Sequence, residues 1–184
     1  MNDRESIALF TDLYPGHFED ESIRNLPEDI VFNEMILPLG EFDTSVYDRK
    51  PDNNISFGFY DGDINELKSA VGKVDTDWTE YFDGGVRVYC GYVDGKIASF
   101  CIADDMGELC IGGKTYKIGG PGCVGTVPEY RNKGIALTMV KRVTQYLKEE
   151  GCDYSYIHYT TVAPWYEKLG YKTIIKWNAK GIIR

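Results

Sequence analysis

What the chain lacks narrows it first. No apolar run in its 184 residues approaches the ~20 needed to cross a bilayer. Histidine is nearly absent, with only two residues, and no pair of cysteines has C-x-x-C spacing. A structural zinc site is therefore not expected, nor any other metal centre. Cys90, Cys101, Cys110, Cys123 and Cys152 are odd in number, and free thiols in a reducing cytoplasm are the simplest reading. Residues 1–10 have no basic segment leading into an apolar one, so no secretion signal is expected. Basic charge is also scarce. Lys and Arg number 20 against 29 Asp and Glu, a net of −9, which makes nucleic acid a poor partner.

The charge that is present is unevenly placed. Residues 1–53 hold 4 basic and 13 acidic side chains, residues 54–113 hold 4 and 11, and residues 114–184 hold 12 and 5. Solvated faces account for this as well as function does. The functional alternative is a basic last third that holds a polyanion, with acidic parts facing a cationic acceptor.

The chain is organised around residues 114–148. Residues 114–127 are rich in Gly and β-branched residues and read as a strand stopped by Pro128. From Ile135 onward, Met139, Val143, Tyr146 and Leu147 recur at helical spacing, and Gly151 marks the stop. Between them lie Arg131, Asn132, Lys133, Gly134 and Ala136. The free N–H groups and dipole of a first helical turn favour an anion, and Gly134 lacks the Cβ that would hold a phosphate away. Taken alone, the same residues also fit an ordinary solvated loop. Upstream, Gly120-Pro121-Gly122-Cys123-Val124-Gly125 fits G-x-G-x-x-G. No helix can open there, because Pro128 follows closely, so it is not read as a dinucleotide fingerprint.

Val124-x-Thr126-x-Pro128-x-Tyr130-Arg131-x-x-Gly134-x-Ala136 resembles the acyl-CoA signature of the GNAT superfamily of N-acyltransferases. Residues 163–171, Ala-Pro-Trp-Tyr-Glu-Lys-Leu-Gly-Tyr, resemble that family's later Y-E-K-L-G-F/Y segment. The resemblance spans about residues 54–177. It implies an α/β (α+β) fold with a mixed, mostly antiparallel central sheet flanked by helices. It further implies acetyl transfer from acetyl-CoA (coenzyme A) to a primary amine by direct attack. The alternative is a non-catalytic acyl-CoA-binding or regulatory module of the same fold. By the resemblance, Val124, Thr126, Arg131, Asn132, Lys133, Gly134, Ile135, Ala136 and Thr160 bind the cofactor. Tyr166 is the general acid toward the sulfur, a role suited to a phenol that stays protonated at neutral pH. His158 and Asp105 are candidate bases, with Asp83, Asp104 and Glu108 as further carboxylates; a hydrogen-bonding core histidine is the competing reading of His158. The expected acceptor is a small-molecule amine, cationic by the charge argument, with neither nucleic acid nor membrane as partner; a homodimer is left open.

Two units are expected: an acidic N-terminal extension, residues 1–53, packed on the core, and the acyltransferase domain, residues 54–184. In the extension, residues 3–13 read as a helix, and Pro27-Glu28-Asp29 reads as the opening of a second helix over residues 30–37. His17 reads as a surface or capping residue. Residues 54–60 form a strand, residues 64–72 a helix, and Asp94-Gly95 a type I′ turn between two strands. Residues 104–108 read as the next turn. Residues 153–159 and 171–177 read as strands around a short helix containing Pro164, capped by Thr160 or Thr161. Family members usually have one more strand, so the sheet is either truncated or completed by another segment.

Overall fold

The Asp94-Gly95 turn forms as its sequence demands, with both residues at positive φ (50° and 76°). It joins β3 (Val88–Val93) to β4 (Lys96–Ile111). The computed structural model describes residues 1–183. Its other elements are α1 (Asp3–Leu13), α2 (Glu21–Arg24), β1 (Phe32–Pro38), β2 (Ile55–Phe59) and α3 (Ile64–Gly72). After β4 come β5 (Lys114–Thr126), α4 (Ile135–Glu149), β6 (Tyr154–Thr160), α5 (Ala163–Tyr166), β7 (Lys172–Asn178) and β8 (Gly181–Ile183). The eight strands form one sheet in the order β2-β3-β4-β5-β6-β1-β7-β8. Every neighbouring pair is antiparallel except β5 and β6. No helix among the described residues is long and apolar enough to cross a membrane.

Two expectations are corrected by this order. Residues 32–38 are a strand, not a helix, and Pro27 opens only a turn, in which Ile30 N–H donates to the Pro27 carbonyl. The strand is buried almost throughout because it lies inside the sheet with both faces covered. Asn33 and Glu34 are buried with the apolar residues around them, so a run this short shows no polar–apolar period to separate strand from helix. The sheet is thus completed from the N-terminal segment, with β1 seated between β6 and β7. Residues 104–108 are not a turn either. β4 runs on through them, and Gly107 (φ 81°) absorbs one extra residue in a bulge, where pairing steps from Asp105↔Gly119 to Gly107↔Ile118. The hairpin turns instead at Gly112 and Gly113, both at positive φ.

α4 packs on one face of the sheet. Met139, Val143 and Leu147, recurring every fourth residue, meet Met35, Leu37, Cys101 and Ile157 in one buried cluster. α1 and α3 cover the other face, with Leu9 against Ile36, Ile118 and Tyr156, and Leu67 and Val71 against Phe100 and Ile102. α1 is capped by Asn2, whose side chain accepts from Glu5 N–H while the Glu5 carboxylate accepts from Asn2 N–H.

The glycines of β5 serve close strand approach, not a phosphate loop. A Cβ on Gly120 would fall inside the contact radius of the Tyr156 carbonyl on β6, and one on Gly125 would strike the Phe100 ring. Gly120→Ala is expected to cost about 1–3 kcal/mol of stability, as overpacking of a rigid backbone contact does. A denaturant titration checks it, and a change within about 0.5 kcal/mol would contradict this account of the contact.

Candidate active site

β5 and β6 pair at only two positions, Ile118↔Tyr154 and Gly119↔Ser155. Beyond Gly119 the two strands part, although β5 continues to Thr126 and β6 to Thr160. Cys123 on β5 (φ 45°) and Tyr159 on β6 (φ 58°) both hold left-handed backbone, which non-glycine residues adopt only when their surroundings enforce it. A cleft of about 470 Å³ opens beside the end of β5, walled by Val124, Gly125 and Thr126, the tip of α4 and the Trp165 and Tyr166 end of α5.

Val124, Thr126, Arg131, Asn132, Gly134, Ile135, Ala136 and Tyr166, all expected at the site, line this cleft. The turn at its mouth has Asn132 and Gly134 at φ 64° and 76°, which aims the chain into α4. No side chain caps the first turn of α4, so its leading N–H groups keep their capacity to bind an anion. Arg131 is partly committed, its Nε donating to the Thr126 carbonyl at 3.2 Å. Lys133 is not on the cleft wall; its ammonium lies 5.4 Å over the Tyr130 ring. Thr160 is also set back. Its hydroxyl accepts from Val162 N–H and its carbonyl from the Asn33 amide, a local brace instead of a true helix cap.

One cation at the tip lies outside the motif. Arg49 packs over Gly134 so closely that a Cβ there would lie 2.5 Å from its Nη1. Its segment is tied to α4 by Lys141, whose ammonium donates to the carbonyls of Tyr47 (2.6 Å) and Thr44 (3.3 Å). A neighbouring hollow of about 640 Å³ collects Arg49, Lys50, Lys141 and Arg142, with Asp48 and Glu149 as the acidic side chains on its wall. The one sequence signal for it is Arg-Lys at positions 49 and 50, two of only four basic residues in the first 53.

Tyr166 lines the cleft, Tyr171 is buried behind it, and their bonding differs. Tyr171 is fully engaged, its hydroxyl within 2.7 Å of Ser155 Oγ and 2.9 Å of Thr144 Oγ1. The Tyr166 ring is buried against Trp165 and Tyr171, yet no hydrogen-bond partner of its hydroxyl occurs among the described residues. The hydroxyl is also not among the enclosed atoms lacking a partner, so it meets the cleft. Burial pushes its phenol well above the ordinary tyrosine range, with smaller contributions from Tyr171 and Cys101.

The expected bases separate. Asp105 sits in the β4 bulge, paired with Lys117 at 3.3 Å, and Lys117 also donates to the Glu150 carbonyl just beyond the far end of α4. That is roughly 20 Å along the helix from its tip, too far for proton transfer at the cleft. Asp83 is held by Lys68 and Glu108 is exposed on β4. His158 lies on the α1 face, opposite Tyr166, with Nδ1 2.9 Å from Glu34 Oε2. His17 is not a surface or capping residue. It packs edge-on against Trp177 at 4.5 Å with Nε2 enclosed and unpartnered. Its pKa is lowered, first by burial and then by His158. Glu34 is hidden from sequence reasoning by the helix expected over residues 30–37.

A family model for the acetyltransferase (GNAT) domain matches residues 56–174, well over half the chain. The chain belongs to the GNAT acetyltransferase family. Such a domain supports acetyl transfer in general. Solved structures agree in fold. The GCN5-related glucosamine N-acetyltransferase region of a fungal multi-domain GH3 beta-N-acetylglucosaminidase superposes with a TM-score of 0.70 at 19% identity, covering 92% of this chain and 22% of that one. A GCN5-related N-acetyltransferase from Kribbella flavida gives 0.53 at 15% identity, over 79% and 55% of the two chains. A putative GNAT acetyltransferase from Novosphingobium aromaticivorans gives 0.53 at 20%, over 78% and 60%. The GNAT chain therefore spans from about a fifth to three fifths of the length of these structures. No curated protein matches it significantly.

Gly134→Ala tests the helix tip. The substitution forces a Cβ into left-handed backbone and against Arg49, at about 1–2 kcal/mol for the backbone alone. The affinity for coenzyme A, measured by calorimetry, is expected to fall about tenfold; an unchanged affinity would mean that this turn does not hold the phosphates.

Proposed function

We propose that the chain transfers an acetyl group from acetyl-CoA to a primary amine by direct attack. The observation that carries this reading is that an uncapped helix tip and a tyrosine hydroxyl with no partner among the described residues share one cleft beside the end of β5. The residues fit the acyl donor. First-turn amides of α4, a glycine with no Cβ and the Arg49 guanidinium suit a diphosphate, and the basic hollow beside them suits further phosphate. Backbone groups of β5 beyond Gly119, left unpaired toward β6, suit the amide-bearing arm of the carrier.

Acetyl-CoA supplies a thioester whose carbonyl is open to an amine. Tyr166 holds a proton at its hydroxyl and gives it to the departing sulfur. Its raised pKa keeps that proton in place over the whole neutral range. A small cationic amine is the acceptor best matched to the acidic first two thirds of the chain. Reducing cytoplasm suits the five unpaired cysteines.

Thiol release from acetyl-CoA, followed across polyamines, lysine-like amines and glucosamine, tests the reading. Glucosamine belongs in the panel because the fungal region is named for it. Tyr166→Phe is expected to lower kcat about 10²- to 10³-fold with little change in acetyl-CoA affinity. Tight acetyl-CoA binding without turnover of any amine would instead favour a non-catalytic binding module. Because burial raises the pKa of Tyr166, its acid form persists to higher pH. The wild-type rate should accordingly show no alkaline loss from this group below pH ~10.

A further inference from the structure

The carboxylate of Glu34 is completely buried, and it is not idle. It accepts from the Tyr156 hydroxyl (2.8 Å), the Trp177 indole N–H (2.7 Å), the Tyr159 backbone N–H (3.2 Å) and His158 Nδ1 (2.9 Å). A carboxylate offers only lone pairs, so Nδ1 of His158 must carry the hydrogen, which leaves Nε2 as the free acceptor. No hydrogen-bond partner of Nε2 occurs among the described residues, and the side chain is one-quarter exposed.

The place of this pair in the fold matters as much as its bonding. His158 lies three residues past Ser155, where β5 and β6 last pair, so it stands on the rim of the gap. Its neighbour Ile157 points into the α4 layer that contains Tyr166, whereas His158 faces α1 and stacks on Tyr14 at 3.7 Å. The gap thus has an acid on one face and an imidazole on the other. Glu34 itself occupies the bulge in β1, and its carboxylate pins the left-handed Tyr159.

We propose that His158, oriented by Glu34, takes the proton from the attacking amine on the α1 face of the gap. The proposal rests on the acetyl-transfer reading above. In the step, a neutral amine forms its N–C bond to the thioester carbon and loses its N–H proton to His158 Nε2. The C–S bond breaks, and the sulfur takes the proton of Tyr166. His158 returns its proton to water and Tyr166 recovers one from water, leaving amide and free thiol. His158 is the catalytic residue in this scheme, and Glu34 is a positioning residue.

The groups facing the imidazole agree with the assignment. Tyr14 is kept protonated, its pKa raised first by burial, then by Glu34 and Asp104. His17 lies with ring centroids 5.3 Å away, and its pKa is lowered chiefly by burial. Glu34 is therefore the one anion bonded directly to the ring, and Asp104 the next carboxylate on that face.

Four measurements decide it. The kcat/KM for the amine in the intact chain should fall at low pH, because a protonated imidazole cannot accept. His158→Ala should lower kcat about 10²- to 10³-fold without altering acetyl-CoA affinity, and added imidazole should restore part of the rate. Glu34→Gln should lower kcat, with KM for acetyl-CoA unchanged. Nitrogen-detected NMR should find the Nδ1–H tautomer of His158 in the intact chain. If Glu34→Gln fails to fold, as removal of a buried charge can cause, His158→Ala and imidazole rescue decide alone. Turnover by His158→Ala within threefold of the parent, or no rescue, overturns the pair and leaves acetyl transfer standing. No turnover by the unaltered chain with any amine overturns both.

Discussion

Two parallel strands that pair at two positions and then part are the constraint on which this structure depends. In an otherwise antiparallel sheet, β5 and β6 are the one parallel junction, and it is an interior one, so abandoning its ladder leaves neither strand without a neighbour. β5 keeps its other edge on β4 as far as Thr126, and β6 keeps its other edge on β1 as far as Thr160. The edges left open face each other across the gap. A buried edge of unpaired amides and carbonyls is costly unless something else meets it. Under the proposed acetyl transfer an extended, amide-bearing substrate arm meets it, which gives the break in the sheet a binding role.

Electrostatics then has to work against the whole molecule. A chain of net charge −9 would repel a polyanion if charge acted at long range. At physiological salt, fields of exposed charges fade over about 8 Å, so only the local set counts. At the tip of α4 that set is the uncapped amides, Arg131 and Arg49, with Lys141 and Arg142 in the adjoining hollow. The carboxylates near the gap, Glu34 and Asp104, lie on the opposite face. On the α4 side the hollow also holds Asp48 and Glu149, against four cations.

Much of this is legible in the sequence, and the parts that are not share a physical cause. The strand–turn–helix of residues 114–148 announces itself because a half-exposed helix must repeat every 3.6 residues and because Gly134 and Pro128 punctuate it. Asp94-Gly95 declares its turn through its positive φ values. β1 is silent because a strand buried on both faces has no alternation to display, and Pro27 gives a misleading start. The Gly107 bulge looks like a turn in sequence because the same residue type serves both. Tyr166 can be picked from its motif, but its separation from Tyr171 requires the hydrogen bonds to Ser155 and Thr144, which join residues distant in the chain.

The same silence conceals the contribution of residues 1–53. β1 supplies a central strand and Glu34; the segment around Arg49 supplies a guanidinium at the helix tip; Tyr14 and His17 cover the imidazole of His158. These groups act on both faces of the gap, so the acidic segment is joined to the site at three places instead of resting on its outside. Withdrawing it would remove the strand against which β6 and β7 both pair and leave two open edges in the middle of the sheet, so this segment is a structural part of the domain that carries the cleft.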